Sequence, residues 1–208
     1  MKKFIMIIFA AVMLLSMASC GKTKDDVNPD DNEPAKGADE MINDCLGKFY
    51  ETLEPLFEME AEAIKGNFVG GYFSEDETTN KNGEAGRTPV DAEDAAVTFK
   101  TVSLITEDSF SKLEDAALFH HMMNTNTLAV SSMRVANAAD VESVANSFRE
   151  SVGGNQIWVC GVPERYAVIT IDTYVISVYG NADMVNAVKN AVTDTYATAV
   201  VVCDEAFE

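Results

Sequence analysis

The sequence predicts an α+β domain of two layers, a mainly antiparallel sheet covered by helices, preceded by a signal peptide and a polar tether. Three observations predict it. Apolar residues recur at helical spacing up to Lys65 and again from Val141 to Val152. Two β-branched runs, Tyr166 to Ile171 and Tyr174 to Tyr179, stand two residues apart like the arms of a hairpin. Beyond the tether there are roughly 170 residues, the length of one domain.

At the N-terminus, Met1-Lys2-Lys3 precedes an uncharged stretch from Phe4 to Leu15 and then Ser16-Met17-Ala18-Ser19-Cys20. A charged start, a short apolar core and small residues before a cysteine form the pattern of a lipoprotein signal peptide, 1–19, with Cys20 as the thiol that takes a diacylglycerol. A membrane-spanning helix needs roughly 20 apolar residues, and this stretch is shorter. The expected address is therefore the outer face of the cell membrane, held by lipid. From Gly21 to Asp39 only Val27 is a larger apolar residue, so 20–39 is expected to be the lipidated cysteine and a disordered spacer. One domain is expected over 40–208.

Within it, Ile42, Leu46, Phe49, Leu53, Leu56 and Ile64 lie along one side of a helix over 40–65, which Pro55 should kink or split. Residues 66–94, rich in Gly, Asn, Thr and charge, read as a long loop. Ala96 to Ile105 is β-branched and reads as a strand. Ser111 with Glu114 forms a capping-box signature for a helix through about Met122. Thr127 to Val135 reads as a strand. Asn137 can cap a helix whose Val141, Val144, Ala145, Phe148 and Val152 share one face, ended by Gly153-Gly154. Gln156 to Cys160 is expected to be a short strand, and Asn181 to cap a last helix with Val185, Val188, Val192 and Tyr196 inward.

The chain carries 34 acidic and 15 basic residues, a formal charge of −19. Such a polyanion is repelled by phosphate backbones and by anionic headgroups, so nucleic acid is not an expected partner and membrane residence must come from the acyl chains. The acid excess is the composition of a solvated surface, and no segment has the ligand spacing of an EF-hand. Of four cysteines, lipidation of Cys20 leaves Cys45, Cys160 and Cys203, an odd number without a Cys-x-x-Cys. Cys45 and Cys160 both border apolar runs and are expected to be small buried hydrophobes, and a Cys45–Cys203 bridge stays open.

Several stretches between residues 108 and 196 carry a resemblance: Leu-Glu-Asp at 113–115, Met-Met-Asn at 122–124, Ala-Val at 129–130, Val-Glu-Ser-Val at 141–144, Trp158, Pro163 and Tyr-Val-Ile-Ser-Val at 174–178. The pattern resembles small lipoproteins of Gram-positive bacteria that share a domain of unknown function, over a little under half the chain. Family members often show Gly-Asn or Gly-Asp where this chain has Asp172-Thr173. The resemblance implies a lipid anchor and a compact domain, with no catalytic residue to carry over.

Two constellations bear weighing. His120, His121, Met122 and Met123 are the one cluster of soft ligands, a plausible copper set in an exported protein. On a helix, however, neighbouring side chains diverge by about 100°, and His120 shares the face of Leu113, so core packing is the expected role and no metal site is assigned. Cys160, with Arg165 and an upstream histidine, superficially resembles the Cys, Arg and His of sortase-type transpeptidases, in which a thiolate attacks an acyl carbon. The Thr-Leu-x-Thr-Cys lead-in is absent. Serine-hydrolase, dinucleotide, P-loop and zincin signatures are also absent. The expected function is a non-enzymatic binding module for an envelope component or protein partner, without a cofactor. The alternatives are a Cys160-dependent envelope enzyme and a His/Met metal-binding lipoprotein.

Overall fold

The computed structural model describes residues 35–71, 81–154, 158 and 160–207. The expected signal peptide, Cys20 and nearly all of the expected tether lie outside the described residues, as does most of the expected strand Gln156 to Cys160.

The first helix, α1 (Ala38–Phe57), turns Met41, Ile42, Cys45, Leu46, Phe49, Tyr50 and Leu53 inward, the stripe the sequence predicts. Pro55 is tolerated inside its last turn, and the break comes three residues later, where Glu58 takes a left-handed conformation (φ 53°). A short helix, α2 (Ala61–Lys65), follows; the Glu54 carboxylate accepts the N–H of Ala61 at 2.8 Å and so ties the two helices into an elbow.

The segment 66–94, expected as a loop, instead supplies three short strands, β1 (Phe68–Gly70), β2 (Lys81–Asn82) and β3 (Gly86–Thr88). Tertiary contacts override its polar composition. Tyr50 donates its hydroxyl to the Gly83 carbonyl at 2.8 Å, and Ala85 donates its N–H to Asn43 Oδ1 at 2.7 Å. Gly70 lets this segment pass close by, since a Cβ there would lie 2.1 Å from the Glu84 carbonyl oxygen.

Two expectations exchange places next. Ala96 to Ser103 is helical, within α3 (Glu93–Ser103), because Ala95, Phe99 and Ser103 recur at four-residue steps and are buried while the β-branched Val97 faces water. The expected helix from Ser111 is instead strand β4 (Leu113–His121), preceded by a one-turn helix α4 (Glu107–Phe110) that Thr106 caps. Strand β5 (Leu128–Val135) follows as expected, then a 3₁₀ turn (Ala138–Asp140) capped by Asn137 leads into α5 (Val141–Gly153). Strands β6 (Arg165–Ile171) and β7 (Tyr174–Gly180) form the expected hairpin, with Asp172 at its turn in the left-handed conformation that Asp tolerates better than most residues. Helix α6 (Ala182–Thr195) and an unexpected last strand, β8 (Val200–Ala206), complete the chain.

The eight strands run β2-β1-β4-β5-β7-β6-β8, all pairs antiparallel, with β3 sharing the edge of β4 beside β1. The α+β class and the antiparallel sheet stand as expected, and the layering goes further. Phe119, Val130, Ile169 and Ile176 pack under α1 and α6, while Leu118, Met133, Val168 and Val175 pack under α3 and α5. Helices thus cover both faces, one layer more than the sequence suggests. Double coverage explains the misread β4: a strand buried on both sides shows a continuous apolar run, without the alternation that marks a half-buried strand.

Candidate functional site

The end of the sheet where β4 and β7 finish gathers the α1–α2 elbow, the β4–β5 loop and the start of α6 around one cleft of about 390 Å3. Its apolar wall is Leu56, Phe57, Met59, Ile64, Phe68 and Met184. Leu56, Phe57 and Met59 are 50, 42 and 43% exposed, although the first was expected on the buried stripe. The left-handed turn at Glu58 ends the helix and swings these side chains off the core. The polar members are Asn67, His121, Thr127, Asn181 and Asp183.

Local hydrogen bonds build the polar side. Asn181 donates its N–H to the Thr127 carbonyl at 2.9 Å, and Gly180 allows that approach at φ 150°, since a Cβ would sit 2.3 Å from the same oxygen. Asn181 occupies the N-cap position of α6 without a side-chain cap; the Glu164 carboxylate instead accepts the Ala182 N–H at 2.8 Å. The Asn181 side-chain amide is left for the cleft.

His121 Nδ1 accepts the backbone N–H groups of Met123 and Asn124, each at 3.3 Å, which assigns the ring proton to Nε2. The ring stands edge-on to Phe68 at 5.7 Å, and burial lowers its pKa below the ordinary histidine value. His121 therefore offers the cleft a neutral N–H donor.

The His/Met cluster does not converge. Because residues 120 and 121 are consecutive on a strand, their side chains leave opposite faces of the sheet. His120 is buried, with its pKa lowered by desolvation, and Met122 and Met123 are exposed beyond the strand end. Among the described residues no three His, Cys, Asp or Glu side chains are placed to share a metal ion. Leu113 and His120 are thus related by strand alternation and not by a helical face.

The Cys160 constellation is also rearranged. Cys160 is exposed, against the expectation of burial, because it lies in a turn before Gly161. Arg165 is engaged elsewhere: its Nε donates to Asp204 Oδ1 at 2.6 Å. Cys45 packs on the α1 face of the sheet and Cys203 on the α5 face, which closes the question of a bridge between them. Trp158 packs against Tyr179 and Phe207, at 5.5 and 5.6 Å between rings, at the border of the α5 core.

Leu56 was placed on the wrong surface by sequence reasoning, and Phe57, Met59, Asn67, Asn181 and Asp183 carried no signal as a site. The visible clue was Pro55-Leu56-Phe57-Glu58-Met59-Glu60, where Phe57 and Met59 fall outside the helical period and are interleaved with acid. Among the described residues no helix is long and apolar enough to cross a membrane. No protein-family model, no curated protein and no solved structure matches this chain.

Proposed function

We propose that the chain is a lipid-anchored module on the outer face of the cell membrane, non-enzymatic, which docks an envelope component or a protein partner in the cleft at the sheet end. Cys20 would carry the anchor. The observation that carries the docking reading is the cleft: three half-exposed large apolar side chains beside a ring of hydrogen-bonding groups, a combination that fits recognition.

The test is a photo-reactive side chain placed at Phe57 in cells, with Val97 on the opposite helix layer as the control position. A discrete adduct formed from position 57 and absent from position 97 is expected; identical patterns from both sink the docking reading. In the same cells Cys20→Ser should release the chain from the membrane fraction, and retention there would remove the lipid anchor. A turnover of the purified chain abolished by Cys160→Ala would overturn the non-enzymatic part.

A further inference from the structure

We infer that the occupant of this cleft is a cationic amphipathic segment of a partner protein, a stretch of large apolar residues flanked by lysine or arginine. The inference rests on the docking reading above and adds the chemistry of the partner.

Charge argues first. Among the described residues no lysine or arginine lines the cleft, while Asp183 does. The elbow adds more acid. Glu54 is committed to the Ala61 N–H and Glu62 to Lys65, but Glu58 and Glu60, exposed on either side of Met59, make no ion pair among the described residues. An apolar wall with Asp183 in its lining and exposed glutamates flanking Met59 in the chain, on a protein of formal charge −19, complements a segment that carries cations beside its apolar face.

The shape of the wall agrees. Leu56, Phe57, Met59 and Met184 are unlike in form, and thioether side chains repack around irregular apolar partners. The His121 Nε2–H and the Asn67 and Asn181 amides can bond to the carbonyl groups of a bound peptide.

Two other occupants fit less well. In a second copy of this chain, a two-fold contact would set the same unpaired glutamates against one another. For a bilayer, anionic headgroups are repelled by the same acids.

The experiment uses the full lipidated chain in nanodiscs of zwitterionic lipid. The probe is a labelled amphipathic peptide of leucine and lysine alone, about 18 residues or five helical turns. Anisotropy should report saturable binding, absent on empty discs. It should weaken at least about tenfold in Leu56→Ser/Phe57→Ser and in Glu58→Gln/Glu60→Gln, and weaken again as salt is raised to about 0.5 M. All four positions are exposed, and circular dichroism checks that the variants fold. A lysine/serine peptide that binds as tightly, or equal binding by all variants, overturns the inference in favour of unspecific attraction to an acidic protein. A leucine/glutamate peptide whose binding is lost in Leu56→Ser/Phe57→Ser leaves a docking cleft but removes its cationic partner. Failure of every peptide to bind, with the position-57 adduct still formed in cells, has the same meaning.

Discussion

The ring of His121 accepts the backbone N–H of Asn124 at its Nδ1, 3.3 Å away, so the turn after β4 fixes the tautomer of the one histidine that lines the cleft. His121 should therefore appear in long-range ¹H–¹⁵N spectra as the neutral Nε2–H form, protonating below the ordinary histidine value near 6.5. Burial is the cause. A depressed pKa means that the unfolded chain takes up its proton first as pH falls. The contribution to stability is complete above the unfolded value, and is lost as pH falls through the folded one. Buried His120 acts in the same direction. Urea midpoints should decline between pH 7.5 and 5.5, and a flat profile would contradict the assignment.

Native alkylation should modify Cys160 and spare the two buried thiols. Burial pushes the Cys45 thiol up to about 11 and raises that of Cys203, so neither forms thiolate readily at neutral pH, and neither is accessible. Iodoacetamide followed by peptide mass spectrometry reads this directly. Labelling of Cys45 or Cys203 before unfolding would show that α1 or β8 opens easily.

Asp115 should be the most sensitive single carboxylate. It is 4% exposed, accepts the N–H of Ala38 at 2.8 Å, and receives Arg87 through Nε and a terminal nitrogen at 3.1 and 2.8 Å. One side chain thus joins the start of α1 to β3 and β4. Asp115→Ala strands the buried N–H of Ala38 and unpairs the largely exposed Arg87, at a cost of about 1–3 kcal/mol in urea unfolding. Asp115→Asn keeps an acceptor and should lose less. Equal losses would mean that packing, and not hydrogen bonding, sets the effect.

How far the sequence disclosed this molecule follows from where each side chain finds its partner. The stripes of α1, α5 and α6 were legible because one face of each is wet, and period 3.6 survives. β4 was not, because Ala116, Ala117, Leu118 and Phe119 are all buried and only a long-range fact, a helix layer on each face, makes them a strand. α3 was misread because β-branched Val97 and Thr101 sit toward solvent, where propensity weighs least against the inward Ala95 and Phe99. The His/Met residues were read on a helix, where neighbours diverge by about 100°; on β4 His120 and His121 leave opposite faces of the sheet instead. The cleft depends on the fold bringing Phe57, His121 and Asn181 to one lining, although they lie more than 50 residues apart and share no motif.

The last strand gives a prediction whose sign could have gone either way. Asp204 accepts from Arg165 Nε at 2.6 Å and Lys189 Nζ at 2.5 Å, so β8 is held to both β6 and α6 by one carboxylate. Its removal relieves an acidic chain of one negative charge, which favours the fold at long range, yet it also unpairs two cations that are less than a third exposed. At about 0.15 M salt the screening length is roughly 8 Å, so the long-range gain shrinks while the contacts at 2.6 and 2.5 Å are little affected. The local loss should win, and Asp204→Asn should cost about 1–2 kcal/mol at neutral pH. The Arg165 and Lys189 hydrogen bonds hold the Asp204 carboxyl below its ordinary value. Its contribution is therefore complete above the unfolded pKa and is lost as pH falls through the folded one. Wild type and variant should converge in urea midpoint toward pH 3, with hydrogen exchange of Val201 to Glu205 faster in the variant at neutral pH, because β8 pairs on one side only. A gap that stays constant down to pH 3 would assign the loss to the altered side chain's packing, and the two ion pairs would then hold β8 no better than water does.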